Sequence, residues 1–541
     1  MTAVLTAPRP TPAQAAPPKS RTGRRVFVIV LACYLAVGAV MVFGFDSIME
    51  DALSRVAAAS SVWWSSDPKL AAIGYVWTPL PALLMVPFTP LRALWPGLVF
   101  TGWLAVMLSA AAMAGAVAVL HGILTDLRVR PSARLLVTVL FALQPLILIY
   151  SANGMTEALL MVCLLAAVRS LLRWLSTGDG TQLVSAGLFL GLGYLARYEA
   201  IVAAAAATLL VMAVSAARTP QARRVATVVS DALLVGLPAV IAFVVWAIVS
   251  WAVVGSPFEQ FTSIYGNSAL VAGARSGGGL VTVGSQLLWL VPLAAPLLLV
   301  VAVRAVRRHD PAVLAPVAVF GAVLAFEWVL NLAGSLFGFL RYQIMVIPLA
   351  AVLLGLLLAG PSLGAVWRRV GGLGLIVAVL GSAAISSGVL VLTQPVLASQ
   401  EYLRVRPVLD AITHSANGDA GANGMWAQDR ALAAWLDSLH LPQASVLADT
   451  GTAFAVVAAS DNPRQFLITS DDGFDAALAD PPAHGIRYLL RNEHGGIDTV
   501  RTRWADLGTA TGPVWATQVA AYPGASQWSY GWTVWAVTPA R

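Results

Sequence analysis

The sequence predicts an α-helical polytopic membrane protein, with about 11 transmembrane helices followed by a small α/β domain. Three features predict it. Of the 541 residues, 58% are hydrophobic and only 11% charged, where a soluble domain carries roughly 25% charged residues. Apolar runs long enough to cross a bilayer recur between Val26 and Thr393. After Ala398 the pattern changes to polar residues, Asp-Gly and Asn-Gly turns, and short β-rich runs.

Residues 1–25 are rich in Pro, Ala and Thr and end in Arg21, Arg24 and Arg25, as expected of a disordered cytoplasmic tail. Residues 26–45 read as an uncleaved anchor. They are longer than a signal-peptide apolar region and run straight into acids without a small-x-small site. Further spans read at 96–120, 135–150, 155–175, 183–196, 200–216, 225–254, 284–303, 312–332, 342–358 and 371–393. The membrane domain is thus 26–395, with a first outer loop over 46–94 that carries surface helices. Residues 71–88 hold Pro79, Pro81 and Pro87 and read as surface-lying or re-entrant rather than spanning.

The formal charge of +7 does not point to nucleic acid, because the arginines sit at the ends of apolar spans. One side collects most of them. The other collects Arg55, Lys69, Arg92, Arg197, Arg275 and Arg341. The positive-inside rule makes the first side cytoplasmic. An odd number of spans then puts the amino terminus inside and the carboxyl-terminal domain outside the cytoplasmic membrane. Cys33 and Cys163 both fall within spans, which excludes a disulfide framework and a thiolate metal site.

In residues 398–541 a helix is predicted over 426–439. Strands are predicted at 446–448, 465–469 and 486–490, separated by helical 452–459 and 473–479, and two closing strands at 513–520 and 532–537. This alternation implies a partly parallel sheet. Trp504, Trp515, Trp528, Trp532 and Trp535 suit core packing or carbohydrate stacking, with packing the plainer use. His414, His440, His484 and His494 lack ligand spacing and read as surface residues.

The placement of polar residues carries the functional argument. The outer side holds Asp46, Glu50, Asp51, Arg55, Asp67, Asn153, Glu157, Arg197, Glu199, Glu259, Arg275, Glu327, Asn331 and Arg341, several of them in connections only a few residues long. Charges so close to lipid need a protein-lined cavity. No nucleotide donor is expected outside the cytoplasm, so an activated sugar there would be carried on lipid phosphate. Arginines supply forked donors to a departing phosphate. A carboxylate can take the proton of an incoming hydroxyl and face an oxocarbenium-like centre.

With Glu50-Asp51-Ala52-Leu53-Ser54-Arg55 after the first span, Trp77-Thr78-Pro79-Leu80-Pro81, Ala196-Arg197-Tyr198-Glu199 and Gly338-Phe339-Leu340-Arg341-Tyr342, residues 26–395 resemble the GT-C superfamily. These are integral-membrane glycosyltransferases that use polyprenyl-phosphate sugars, among them protein O-mannosyltransferases and the lipid A aminoarabinose transferase. The resemblance implies an acid of the first outer loop as catalytic base: Asp51, with Glu50 and Asp46 as rivals. Arg341, Arg197 and Arg55 are the candidate donor-phosphate ligands. Glu199, Glu157, Asn153, Trp77 and Tyr75 are the candidate substrate contacts. The Glu50-Asp51 order inverts the usual Asp-Glu, and no His-Pro-Pro occurs. No cofactor is expected; Mg²⁺ or Mn²⁺ between carboxylates and phosphate is possible chemistry but not favoured.

Plainer readings stand beside these. Asp51 is also an acid at a helix start, and Arg341 also a snorkelling arginine. Arg197 could pair with Glu199 across a turn, and Arg55 with Asp51 at i, i+4. The implied partners are a polyprenyl-phosphate sugar donor, the bilayer, and a glycan, glycolipid or protein acceptor. Rival functions are a transporter or flippase of lipid-linked saccharides, an oligosaccharide ligase or polymerase, and a non-enzymatic scaffold.

Overall fold

A computed structural model describes residues 21–266, 271, 279–359, 371–413, 424–524 and 530–539. Residues 1–20 of the tail expected over 1–25, and Arg275, His414 and Trp528, lie outside the described residues; Arg21–Arg25, expected in the tail, instead begin the first helix, Arg21–Ala39. Among the described residues, eight helices are long and apolar enough to cross a membrane, beginning with Thr22–Gly44. Two bent pairs raise this to ten. The eleventh expected span is Thr181–Ala196, shorter than a usual span. At 1.5 Å per residue it reaches only about 24 Å, so packing against its neighbours holds it. Gly187 and Gly191 let it do so: a Cβ on either would stand 2.7 Å from the Val235 carbonyl oxygen or 3.0 Å from that of Pro238. Small residues at such spacing bring helix backbones into direct contact.

Several expected spans are broken, each at an identifiable residue. The run expected over 96–120 divides at Gly102, whose φ of +71° no side-chain-bearing residue adopts easily. The long helix starts only at Trp103 and continues to Asp126. Pro131–Ala142 and Pro145–Ala152 meet at 58°, because Pro145 has no N–H to continue the first helix. Gln144 accepts instead from Ile147 N at 3.1 Å and caps the second. Leu280–Leu290 and Ala294–Arg308 meet at 76° around Pro292. Pro238, by contrast, lies inside the 34-residue helix Gln221–Val254 without ending it.

After Phe45 the chain makes a short turn and forms the acid-bearing helix Glu50–Trp64, with Glu50 and Asp51 in its first turn. Residues 70–93 follow as short pieces: Leu70–Ile73, Leu80–Met85 and Val86–Ala93. None spans, as the prolines dictate.

The carboxyl-terminal domain has strands β1 (Val446–Ala448), β2 (Phe466–Ile468), β3 (Tyr488–Asn492), β4 (Ala516–Tyr522) and β5 (Trp532–Val537). Their order is β2-β1-β3-β5-β4. β1 pairs in parallel with β2 and β3, and β5 pairs antiparallel with β3 and β4. Alternate side chains point to opposite faces. Val446 and Ala448 therefore pack with Leu432, Leu436 and Val456 on one face, and Leu447 with Phe474 and Val500 on the other. Trp532 and Trp535 are buried in these two layers, and Trp504 and Trp515 meet edge to face at 5.0 Å.

Polar contacts dock this domain on the acid-bearing loop. Asp46 accepts from Trp426 N at 3.1 Å and from both terminal nitrogens of Arg430 at 2.9 and 2.8 Å. Lys69 reaches Asp472 at 2.5 Å, Ser66 donates to Asp471 at 2.6 Å, and Arg92 to the Ser460 carbonyl at 2.7 Å. Charged hydrogen bonds contribute about 1.5–3 kcal/mol each. Asp46→Asn is therefore expected to raise the undocked population by roughly tenfold or more. Limited proteolysis near residues 394–424 measures this, and unchanged digestion would remove the clamp.

Candidate active site

A cavity of about 560 Å³ lies between the acid-bearing helix and the carboxyl-terminal domain. Glu50, Asp51 and Ser54 line one wall, Trp77 a second, Phe337, Phe339 and Arg341 a third, and loops of the domain the fourth. A smaller cavity of about 120 Å³ adjoins it, lined by Glu50, Asp51, Arg341, Gln400 and Arg404 among others.

Asp51 and Arg341 are the centre of this arrangement. The chain arrives at Arg341 through the tight helical turn Leu340–Gln343, which leads into the buried helix Val346–Leu358. Arg341 Nη1 donates to Asp51 Oδ2 at 3.2 Å across 290 residues of sequence. Its guanidinium lies 5.0 Å from the Phe339 ring centre and 5.5 Å from that of Tyr342, contacts that hold the fork's plane. Arg341 is buried, while the Asp51 side chain keeps 28% of its exposure, toward the cavity. Burial acts to raise the Asp51 carboxyl, but Arg341 first and Arg55 next outweigh it and hold it below the ordinary carboxylate range. Asp51 is thus ionised at neutral pH. Glu50 goes the other way: burial pushes its carboxyl up, offset in part by Arg404 at 3.7 Å. Two adjacent acids are driven apart, the pattern by which sites assign different roles to like groups.

Arg55 does not make the expected pair with the Asp51 carboxylate. Its Nη1 donates to the Asp51 backbone carbonyl at 3.0 Å, and its guanidinium lies 4.4 Å from the Trp77 ring centre. The i, i+4 spacing puts the arginine nearer the helix's own carbonyl, and the aromatic face accepts the cation. Burial lowers the Arg55 guanidinium to about 10, so it remains charged at neutral pH.

Behind Arg341 lies a layer of buried charge. Arg197 donates to Glu157 Oε1 at 2.8 Å and, through Nε, to Glu199 Oε1. Glu157 Oε1 also lies 3.8 Å from Arg341 Nε, so one carboxylate links the two arginines. Glu157, Glu199, Glu327 and Asn153 are all buried and none lines the cavity. Glu157, Glu199 and Asn153, expected as substrate contacts, thus lie behind the cavity wall, with Glu157 the one that reaches Arg341; Arg197 likewise lies outside the cavity lining. Asp46 is engaged by Arg430 and does not line the cavity either. Tyr75 stacks on Trp246 at 5.1 Å between ring centres, leaving Trp77 as the cavity aromatic of its segment. Asp51, Glu50, Arg341 and Trp77 are the sequence candidates that meet at the cavity.

Arg404 and Gln400 are missing from the sequence candidates. They lie on the helix Ser399–Thr413, placed by sequence in the soluble domain. The Gln400, Glu401, Arg404 spacing directly after the last span was the available signal. Arg404 is buried, with Nη1 at 2.7 Å from the Met425 sulfur and Nε at 3.3 Å from that of Met49, weak acceptors for a full charge. His494, expected at the surface, lines the cavity. Among the described residues no group of three or more His, Cys, Asp or Glu side chains is placed to hold a metal ion.

A family model described as dolichyl-phosphate-mannose-protein mannosyltransferase matches residues 93–251. The fold is similar to that of ArnT from Cupriavidus metallidurans bound to undecaprenyl phosphate, with TM-score 0.55 and 16% identity over 95% of this chain and 98% of that one. The apo state of the same protein aligns with TM-score 0.52 and 14% identity over the same shares. The archaeal oligosaccharyltransferase AglB from Archaeoglobus fulgidus, in complex with an inhibitory peptide and a dolichol-phosphate, is more distant: TM-score 0.45, 11% identity, 90% of this chain and 71% of that one. No curated protein matches the sequence. The membrane architecture is thus similar in fold to that of ArnT nearly end to end, and the family-model match falls within the membrane bundle.

Proposed function

We propose that the protein is an inverting glycosyltransferase that moves a pentose or hexose from a polyprenyl-phosphate donor to a cell-envelope acceptor outside the cytoplasmic membrane. The observation that carries this reading is the meeting of Asp51 and Arg341 in one cavity wall. The acceptor hydroxyl oxygen bonds to the anomeric carbon as the bond from that carbon to the phosphate oxygen breaks. Asp51 takes the hydroxyl proton, and Arg341 receives the charge that builds on the departing phosphate. Arg404, a buried cation with weak partners beside the same acids, supplies a second phosphate ligand.

The Asp51–Arg341 pair also gates the base. While Arg341 holds Asp51, the carboxylate is a poor proton acceptor. A donor phosphate that draws Arg341 toward itself weakens that hold and restores basicity, so the base is strongest when donor is present. The arginine-rich loops at the opposite end of the bundle, where Asp126 pairs with Arg169 at 2.7 Å and Arg173 at 2.9 Å, support a cytoplasmic assignment for that end.

Purified protein incubated with synthetic polyprenyl-phosphate pentoses and hexoses is expected to release polyprenyl phosphate from at least one of them. Movement of intact lipid-linked saccharide across vesicles, with no release from any donor, would favour the transporter reading instead.

A further inference from the structure

The carboxyl-terminal domain is built as an α/β crevice, and that crevice opens on the catalytic acid. In open α/β sheets, ligands bind beyond the carboxyl ends of the parallel strands, where successive connections pass to opposite faces. Here β1 is flanked by β2 and β3. The connection from β1 to β2 carries Val456 in the layer with Leu432. The connection from β2 to β3 carries Phe474 in the opposite layer, and Val500 after β3 joins that same layer. The chain therefore switches face between β1 and β3. The residues that follow the three parallel strands are Thr450-Gly451, Thr469-Ser470 and His494-Gly495-Gly496, and all of them line the large cavity opposite Asp51.

We propose that this crevice binds a carbohydrate acceptor, and that the domain, rather than the membrane bundle, selects it; the proposal rests on the transferase reading above. The chemistry of the lining supports a sugar. Thr450 and Thr469 share a hydrogen bond at 2.5 Å and retain hydroxyl capacity toward the cavity. Ser470 Oγ and Gln400 Oε1 are buried polar atoms without a partner among the described residues, and both residues line the cavity. Buried polar atoms are otherwise nearly always satisfied, so the wall lacks the hydroxyls that a polyol brings. Tyr530 and the stacked rings of Phe337 and Phe339, 5.0 Å apart, add aromatic faces suited to sugar C–H edges. Asp449 shapes the β1 loop by accepting from Gly451 N at 2.7 Å, Thr499 N at 2.6 Å and Tyr265 Oη at 2.8 Å, which ties a bundle loop to the crevice rim. Arg341 is the fixed cation among the lining residues and lies on the catalytic wall. The crevice itself thus offers an anionic acceptor little.

Saturation-transfer NMR on the full-length protein in nanodiscs tests this with methyl glycosides of a hexose and a pentose, and with a Ser/Thr hexapeptide. Signal transfer to at least one glycoside is expected, reduced about threefold or more in Ser470→Ala and Thr469→Val, with none to the peptide. Ser470→Ala removes an atom that has no partner, so folding is not compromised; its melting temperature confirms this. Asp51→Asn is expected to keep glycoside contact while losing donor turnover, which separates failure of this inference from failure of the transferase reading. No glycoside signal, an equal signal in both crevice variants, or a peptide signal that Ser470→Ala diminishes would overturn it.

Discussion

Asp51→Asn is expected to lower glycosyl transfer by about 10²- to 10⁴-fold, the contribution of a positioned general base. The amide keeps the shape of the carboxylate but accepts no proton from the incoming hydroxyl. The substitution should leave the fold intact, because Asp51 is partly exposed to the cavity and Arg341 retains Glu157 at 3.8 Å. Insertion and melting behaviour are therefore the controls, and release of polyprenyl phosphate from a turned-over donor is the readout. Glu50→Gln serves as the comparison. Glu50 lies 3.7 Å from Arg404 and its carboxyl is pushed up by burial, so it is the poorer anion at neutral pH. A milder loss is expected there. Turnover of Asp51→Asn within a few-fold of wild type would remove Asp51 from the mechanism, and a larger loss in Glu50→Gln would move the base one residue back.

Arg341→Ala is expected to cut donor kcat/KM by roughly 10²- to 10³-fold, the scale seen when one charge-stabilising donor is removed, while acceptor KM stays within a few-fold. Removing a buried arginine also leaves Glu157 and Asp51 less compensated, a destabilisation of about 3–5 kcal/mol in comparable buried pairs. Arg341→Lys is the cleaner variant, because it keeps the charge. Lysine has no planar fork to lie against Phe339 and Tyr342, and incomplete rescue is expected even though the protein folds. The kinetic split distinguishes a phosphate ligand from a structural arginine. Full activity in Arg341→Lys, or an acceptor KM that moves more than the donor term, would exclude the clamp.

Much of the site was legible because lipid makes charge conspicuous. An acid such as Asp51 directly after an apolar span, or an arginine such as Arg341 at the start of one, is costly without a partner and so marks itself. Asp46 carries the same mark for a different reason, the docking of Arg430. Sequence has no means of telling a carboxylate that faces the cavity from a tethering one. Thr450, Thr469, Ser470 and His494 carried no mark at all. Ser, Thr and Gly after short strands are ordinary turn residues, and only the β2-β1-β3 order puts their loops side by side. Arg404 was hidden differently: it follows the last span, in a helix whose polarity suggested solvent, yet it is buried.

By itself the sequence determined the membrane class, most spans, the non-spanning Pro-rich segment after the acids, and the strand pattern of the last domain. These are local properties: in hydrocarbon the backbone must satisfy its own hydrogen bonds, so apolar length and proline position decide what crosses. The tertiary structure decided which two of three neighbouring acids face the cavity, and that the third tethers the domain. It also decided which arginine meets Asp51, and that the domain closes the site. Those outcomes depend on contacts between residues hundreds of positions apart, such as Asp51 with Arg341 and Asp46 with Arg430. Hydropathy along a chain holds no record of them, because a span's apolar face packs equally well at many rotations until polar groups at its ends find their partners.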